Sequence, residues 1–355
     1  MAETYAEDLN LDPGQFPELN RRFFAADRGP HLFIRHRMRG LILAASSDEE
    51  IRAKVESGLT LGELRLTAPD HNGPLGEDGV AEVAALDAIV LFHHAAETLL
   101  QLFFVLEAAP ACPWLEIAKI KREHRLMTKR LRNLRSQYKS QKTKEALVRV
   151  FCAQELSGPE NIEKEQWADI VLGLRLVVAE AAKRFQEETN LYNSAKHGLS
   201  AVTGRATLRL GEESNPLIDM RGPSLTILEP RPTGAGTGHK WHETTRWVET
   251  EKTVAMTGLM AHLIENAWHI ARATYADGPR DTRLRYLSGA QVDQMLHGDY
   301  PETGYKMTVT EFPMPLLYRS APAALGGPED DSSHTGALDP RMASFQVGHR
   351  RPRES

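Results

Sequence analysis

Cysteine is nearly absent: the 355 residues hold two, Cys112 and Cys152. Neither sits in a CxxC or other metal-ligand spacing, which excludes a disulfide framework and a thiolate metal knuckle and points to reduced thiols in a cytoplasm. Long apolar runs are also missing. No stretch reaches the roughly 18–20 uncharged apolar residues of a membrane span, since Val83 to Leu106 is interrupted by Asp87, the His93–His94 pair and Glu97. The acidic opening MAETYAEDLN has no apolar core, so a secretory signal and a membrane partner are not expected. There is no internal repeat, no Walker loop, no dinucleotide GxGxxG and no GxSxG elbow, and no cofactor is expected. Gly234 to Gly238 (GAGTG) lacks the lysine and the flanking strand and helix of a phosphate loop and reads as a flexible turn.

What is present is an ordinary globular composition, 41% apolar and 26% charged, with one strong asymmetry. The 26 residues Lys119 to Lys144 contain 11 Lys or Arg and one acid, Glu123. That run carries +10, which leaves −15 for the remainder of a chain whose net charge is −5. Such a split points to a polyanionic partner for one segment and to nothing comparable elsewhere.

The fold class expected is mainly α, with a small inserted antiparallel sheet. Residues 1–67 look mixed, with helical patches near Glu18–Ala25 and Ser47–Ser57, the second opened by a Ser47/Glu50 capping box. Residues 68–79 (APDHNGPLGEDG) read as a linker. A bundle follows over 80–275. Its first helix, Val80 to Glu107, is apolar nearly all round and belongs in the middle. In the basic run Ile117, Ile120, His124, Met127, Leu131, Leu134 and Tyr138 alternate by three and four residues, predicting one regular helix with an apolar stripe. Ser157 and Pro159 fit the N-cap and first position of another helix. Its stripe runs from Trp167 through Ile170, Leu174, Val177, Ala181, Phe185, Tyr192 and Ala195 to Lys196–His197–Gly198, with Gly173 marking a kink or break. Extended segments at Ala206–Leu210, Leu217–Met220, Ser224–Leu228 and Trp241–Val248 place the sheet at about 203–249. Helix returns from Thr250 to about Tyr275, with Met256, Leu259, Leu263, Trp268 and Ala271 as part of its apolar side. Residues 276–320 promise only short elements, and the Pro-, Gly- and Ser-rich 321–355 reads as a disordered tail.

Three groups of residues carry chemistry. In the basic helix Lys129, Arg130, Arg132, Arg135 and Lys139 lie off the apolar stripe, so together they can neutralise phosphates. The bland alternative is that they pair with acids of this acidic protein. No RNP motif, zinc finger or KH-type loop accompanies them, so binding would be driven by the backbone of the nucleic acid.

The second group is Asn193, Ser194, Ala195, Lys196, His197 and Gly198 at the end of a long helix. A helix ending in N-x-x-x-H within such a bundle resembles HEPN-like domains, many of them ribonucleases of defence and toxin systems. The resemblance covers about residues 80–275. It implies a dimer whose paired protomers present an R-x(4–6)-H motif to RNA, with His197 as the His and Asn193 as the polar residue. The Arg is not matched: the permitted positions hold Asn190, Leu191 and Tyr192. Arg65 and His71 alone satisfy the spacing, with Pro69 between them. In the reduced form His197 would act as acid or base toward a ribose hydroxyl, Lys196 as the phosphate cation and Glu97 as the group orienting His197 or Asn193. The plain alternative is a helix C-cap, with cations against the dipole and then glycine.

The third group is a matched pair of H-x-x-E motifs, His94 with Glu97 and His262 with Glu265, followed by His269. Each presents an imidazole and a carboxylate on one face. Two such helices resemble carboxylate-bridged dimetal bundles, in which Glu180 or Glu188 would complete the set, although the family order Glu-x-x-His is reversed here. The alternative is a buried Glu97 paired with Lys196 or His197, and His262 and His269 on a solvated edge. RNA or polyanion binding by an HEPN-like homodimer is therefore the leading expectation, ahead of a dimetal oxidase and of a bundle that only binds a protein partner.

Overall fold

The computed structural model describes residues 12–25, 28–46, 48–56, 59–61, 64–66, 76–122, 124–212, 215–232, 238–278, 284–297 and 311–315. Eleven α-helices and six strands occur among them: α1 Phe16–Phe24, α2 Pro30–Ala44, α3 Glu49–Glu56, β1 Leu59–Leu61, β2 Leu64–Leu66, α4 Glu77–Ala108, α5 Pro113–Arg122, α6 His124–Gln137, α7 Gln141–Cys152, α8 Lys164–Glu187, α9 Thr189–Ala195, β3 Ala201–Glu212, β4 Asn215–Pro232, β5 His239–Trp247, α10 Thr250–Tyr275, α11 Gly289–His297 and β6 Glu311–Pro315. The chain is mainly α with a small antiparallel sheet, as its pattern predicts. Two compact units form, one drawn from Met1–Leu43, Val90–Thr189 and Glu251–Gly298, the other from Ala44–Ile89, Asn190–Thr250 and Asp299–Ser355.

In the first unit the 90–105 stretch of α4 is buried except for a half-buried stripe of His94, Glu97, Thr98 and Gln101. Leu102, Phe103, Phe104 and Val105 are consecutive, so they point to all sides of the helix, and all four are buried. By length and composition α4 is the one described helix apolar enough to cross a membrane, and 72% of its most apolar window is buried inside the protein. Asp87, His93, His94 and Glu97 therefore do not lower its hydropathy as far as the sequence suggests. Phe103 stacks on Phe151 of α7 at 5.8 Å between ring centres. Trp167, Ile170, Leu174, Val177 and Ala181 of α8 are buried as the stripe predicts, as are Met256, Leu263, Trp268 and Ala271 of α10. Phe23 and Phe24 of α1 close one end, Phe23 stacking on Trp114 at 5.3 Å and Phe24 tilting on Trp268 at 4.9 Å.

In the second unit β3, β4, β5 and β6 lie side by side in sequence order, all antiparallel. Leu208, Met220 and Trp247 form a small core, and Trp247 Nε1 donates to the carbonyl of Ala206 at 3.1 Å. Glu229 accepts from Arg231 and from buried Thr244, and Glu311 bridges Arg231 and Arg246, a run of alternating charge across three strands.

Several expectations are corrected. The basic run is not one helix: α6 stops at Gln137, and Ser140, extended at ψ 151, begins α7 by accepting from the Thr143 amide at 3.2 Å. Ser157 and Pro159 do not open α8, which starts at Lys164. Its continuation to Lys196 is split, since α8 ends at Glu187 and a separate short α9 follows. Gly173 marks no break, because α8 is continuous across it. The α3 cap is Asp48, whose Oδ1 accepts from the amides of Glu50 and Ile51; Ser47 lies outside the described residues. Helix α2 was not anticipated, and α4 already includes Glu77 to Gly79 of the expected linker. The remainder of that linker except Gly76, the turn residues Gly234 to Thr237 and the tail 321–355 lie outside the described residues.

Gly173 is needed for close approach: a Cβ there would stand 2.8 Å from the carbonyl oxygen of Leu287. That backbone is held by Asn266, whose amide donates to the Arg285 carbonyl at 2.8 Å while its oxygen accepts the Arg285 amide. Gly173→Ala is expected to lower stability by about 1–3 kcal/mol. Gly258→Ala, on α10 with no atom nearer than Met38 Sδ at 3.8 Å, should raise it by about 0.5–1 kcal/mol. Thermal melts of the two variants, moving in opposite directions, check the packing.

Candidate functional site

The basic segment builds a surface from α6 and the start of α7. Met127, Leu131 and Leu134 are buried, which turns the opposite side of α6 outward. Arg125, Lys129 and Arg132 fall at i, i+4 and i+7 on that outer side, and all three are exposed. They line up along about 10 Å of helix axis.

The five cations expected to bind do not share one role. Arg130 donates to the Phe104 carbonyl at 2.8 Å, and Arg149 of α7 donates to the Glu107 carbonyl at 3.1 Å. Both therefore satisfy carbonyls at the C-terminus of α4 and oppose the negative end of its dipole. Arg135 donates to Gln186 and Glu187 of α8 at 3.0 and 2.9 Å, an exposed pairing that contributes about 0–1 kcal/mol. Lys129, Arg132 and Lys139 pair with no acid among the described residues, and Lys139 Nζ lies 5.4 Å from the Tyr138 ring centre. Among the described residues, pairing with an acid thus accounts for Arg135 alone of the five.

Beside this surface lies a cavity of about 390 Å³ between the C-terminus of α4, α6 and the start of α7. Arg130, Lys142 and Arg149 bring three cations to it, Asn133, Gln137 and Thr143 bring hydrogen-bonding groups, and Glu107 is the one acid. The sequence reading missed Lys142 and Arg149 here, because it treated the run as one straight helix. The only signal was Ser140, a capping residue inside an otherwise helical pattern.

The second expected group falls in the second unit. Asn193, Lys196 and His197 are exposed, Lys196 Nζ donates to Asn193 Oδ1 at 3.2 Å, and Gly198 takes the left-handed conformation at φ +64. Its amide returns to the Ala195 carbonyl at 2.9 Å, so this end of α9 has the geometry of a C-cap. No hydrogen bond to His197 occurs among the described residues. Glu97, in the first unit, is half-buried rather than buried and accepts from Gln101 Nε2 at 2.9 Å. Arg65 lies in β2, and His71 is outside the described residues.

The metal candidates separate. His94 Nδ1 accepts from Arg37 at 2.6 Å, and burial followed by the Arg37 charge lowers its pKa. Glu265 is forked by Arg35 at 2.7 and 3.2 Å. His262 is half-buried, not on a solvated edge, and burial with Arg35 and Arg285 nearby lowers its pKa. Among the described residues, the one group of donors close enough to share an ion is His31, Glu265 and His269. His31 is the member that sequence reasoning missed, because it lies on the unanticipated α2.

A further titratable network, also unforeseen, ties α4 to α8. Arg184 holds Glu188 at 2.8 and 3.1 Å and sits 3.9 Å above the Phe92 ring, and buried His93 places Nε2 3.8 Å from Glu188. Burial alone would raise the Glu188 pKa; Arg184 and His93 outweigh it and push it down to about 2. Burial lowers the pKa of His93.

No family model matches the chain, and no curated protein or solved structure matches it either.

Acid should loosen this network in two stages. Below the ordinary histidine value of 6.5 the unfolded chain binds protons that buried His93 resists, so stability falls as pH falls. Between 4.5 and about 2 the unfolded Glu188 carboxyl binds a proton that the folded one does not, and stability falls again. Glu188→Gln is expected to cost about 3 kcal/mol at neutral pH by leaving Arg184 without its counter-ion. It should also flatten the second stage in chemical unfolding series taken from pH 7 downward.

Proposed function

We propose that this chain is an HEPN-like helical protein that binds RNA through the outer side of α6 and the adjoining cavity. The observation that carries the reading is the exposed stripe of Arg125, Lys129 and Arg132, in which Lys129 and Arg132 have no acidic partner among the described residues. Cations with no acidic partner among the described residues, on a protein of net charge −5, give a local field of opposite sign to the net charge. Backbone phosphates satisfy such a stripe without base-specific contacts, which agrees with the lack of any base-reading motif. The cavity adds Arg130, Lys142 and Arg149, placed where one phosphate could be held by several donors.

Binding, not cleavage, is the activity proposed. A catalytic histidine needs a neighbour that fixes its ring, and His197 has no hydrogen-bond partner among the described residues, while Tyr192 occupies one of the permitted positions for the motif Arg. A homodimer belongs to the same reading: α2 leaves Leu32, Phe33, Ile42 and Leu43 exposed, an apolar surface for a second copy to cover.

Fluorescence anisotropy with labelled single-stranded RNA tests the reading. Arg125→Gln/Lys129→Gln/Arg132→Gln is expected to bind at least about tenfold more weakly at low salt. Its plot of log affinity against log salt should be shallower by about 2, since each lost phosphate contact removes about 0.7. Affinity equal to wild type would overturn the assignment of the surface. RNA should remain intact with wild type and with His197→Ala; cutting that this variant abolishes would replace binding by ribonuclease activity.

A further inference from the structure

Outside the basic surface, the first unit gathers three metal-ligating side chains on α2 and α10. His31 is the second residue of α2, while Glu265 and His269 are one turn apart on α10 and share a face. Each offers a ligand atom, and the three atoms all lie within 4.8 Å of one another. His31 Nε2 stands 3.7 Å from Glu265 Oε1. Ligand atoms held about 2.0–2.1 Å from a tetrahedral zinc ion are separated by ~3.3 Å, so small side-chain rotations would close the set on one ion.

His31 is what makes this more than a chance grouping. It is 3% exposed, and its Nδ1 has no hydrogen-bond partner. Its Nε2 is beyond hydrogen-bonding distance from the carboxylate but close to the spacing of two ligands on a shared centre. Buried imidazoles ordinarily have partners, and this one is aimed at a carboxylate without bonding it. Glu265 is divided between two tasks. Arg35 holds Oε2 at 2.7 Å and Oε1 only at 3.2 Å, so Oε1, the oxygen facing His31, is the more easily released. Arg35 would then keep Oε2 as the outer hydrogen bond that orients a ligating carboxylate.

We propose that His31, Glu265 and His269 form a zinc-binding site between α2 and α10, with water as fourth ligand. Two imidazoles and one carboxylate suit a borderline ion such as Zn²⁺, whereas Mg²⁺ and Ca²⁺ take oxygen donors. The site does not rest on the RNA-binding reading, and it differs from the paired H-x-x-E arrangement in drawing His31 from α2 and leaving out His94, Glu97 and His262.

The test is calorimetric titration of the EDTA-stripped full chain with Zn²⁺, beside Glu265→Gln, His269→Ala and, as a control for surface histidines, His36→Ala. Wild type and His36→Ala are expected to take one Zn²⁺ per chain. Glu265→Gln and His269→Ala should bind at least about tenfold more weakly, and Mg²⁺ should give no saturable heat. Circular dichroism in EDTA identifies any variant that has lost its fold, and the remaining one then carries the comparison. No saturable Zn²⁺ binding by wild type, or wild-type affinity in either folded ligand variant, would overturn the site.

Discussion

The first unit depends on covering the 90–105 stretch of α4, which is buried but for the half-buried stripe of His94, Glu97, Thr98 and Gln101. The turn that presents Leu102, Phe103, Phe104 and Val105 in succession has no face to offer water, and burying each such side chain contributes about 1.5–3 kcal/mol. The C-terminus of α4 has a second requirement, because its last carbonyls lack partners within the helix and carry the negative end of its dipole. Arg130 and Arg149 meet it by donating to Phe104 and Glu107. The densest positive charge in the chain is therefore partly a product of the core, since some of it completes the helix that the core surrounds.

That origin divides the cations into two populations. Arg130, part-buried, and Arg149, exposed, are each tethered to a carbonyl of α4 whether or not a ligand arrives. Lys129 and Arg132 face outward with no acidic partner among the described residues. A ligand that reaches the cavity meets donors whose conformations are already restricted, and it orders only the outer ones. This lowers the entropic cost of association relative to a wholly mobile basic surface.

Much of this was legible in the residues. The apolar surround of α4, the stripes of α6, α8 and α10, the extended segments of the sheet and the glycine cap at Gly198 all follow from local periodicity or backbone chemistry. What escaped notice was decided by partners far along the chain. Helix α2 has a mixed face, because Arg35 and Arg37 point to Glu265 and His94 rather than to water, so its amphipathic signal is weak. Gly173 looked like a break because nothing local reveals that Leu287 passes over it. The grouping of His31 with Glu265 and His269 could not be read for the same reason, whereas the i, i+4 relation of the last two could. The turn at Ser140 was available in principle, and the regular stripe on either side of it concealed the change of direction.

The order in which the segments leave the ribosome gives this architecture a temporal dimension. Arg35 and Glu265 are 230 residues apart, and the first unit draws on three stretches separated by parts of the second. At about 5–20 residues per second, α2 waits roughly 10–50 s for the helix that receives Arg35. During synthesis the apolar length of α4 emerges before α10, whose Trp268 and Ala271 pack against Leu106, exists. The nascent chain thus passes through a long interval in which its most aggregation-prone surfaces are complete and their cover is not, so its yield in a cell should follow chaperone supply more closely than the stability of the finished fold.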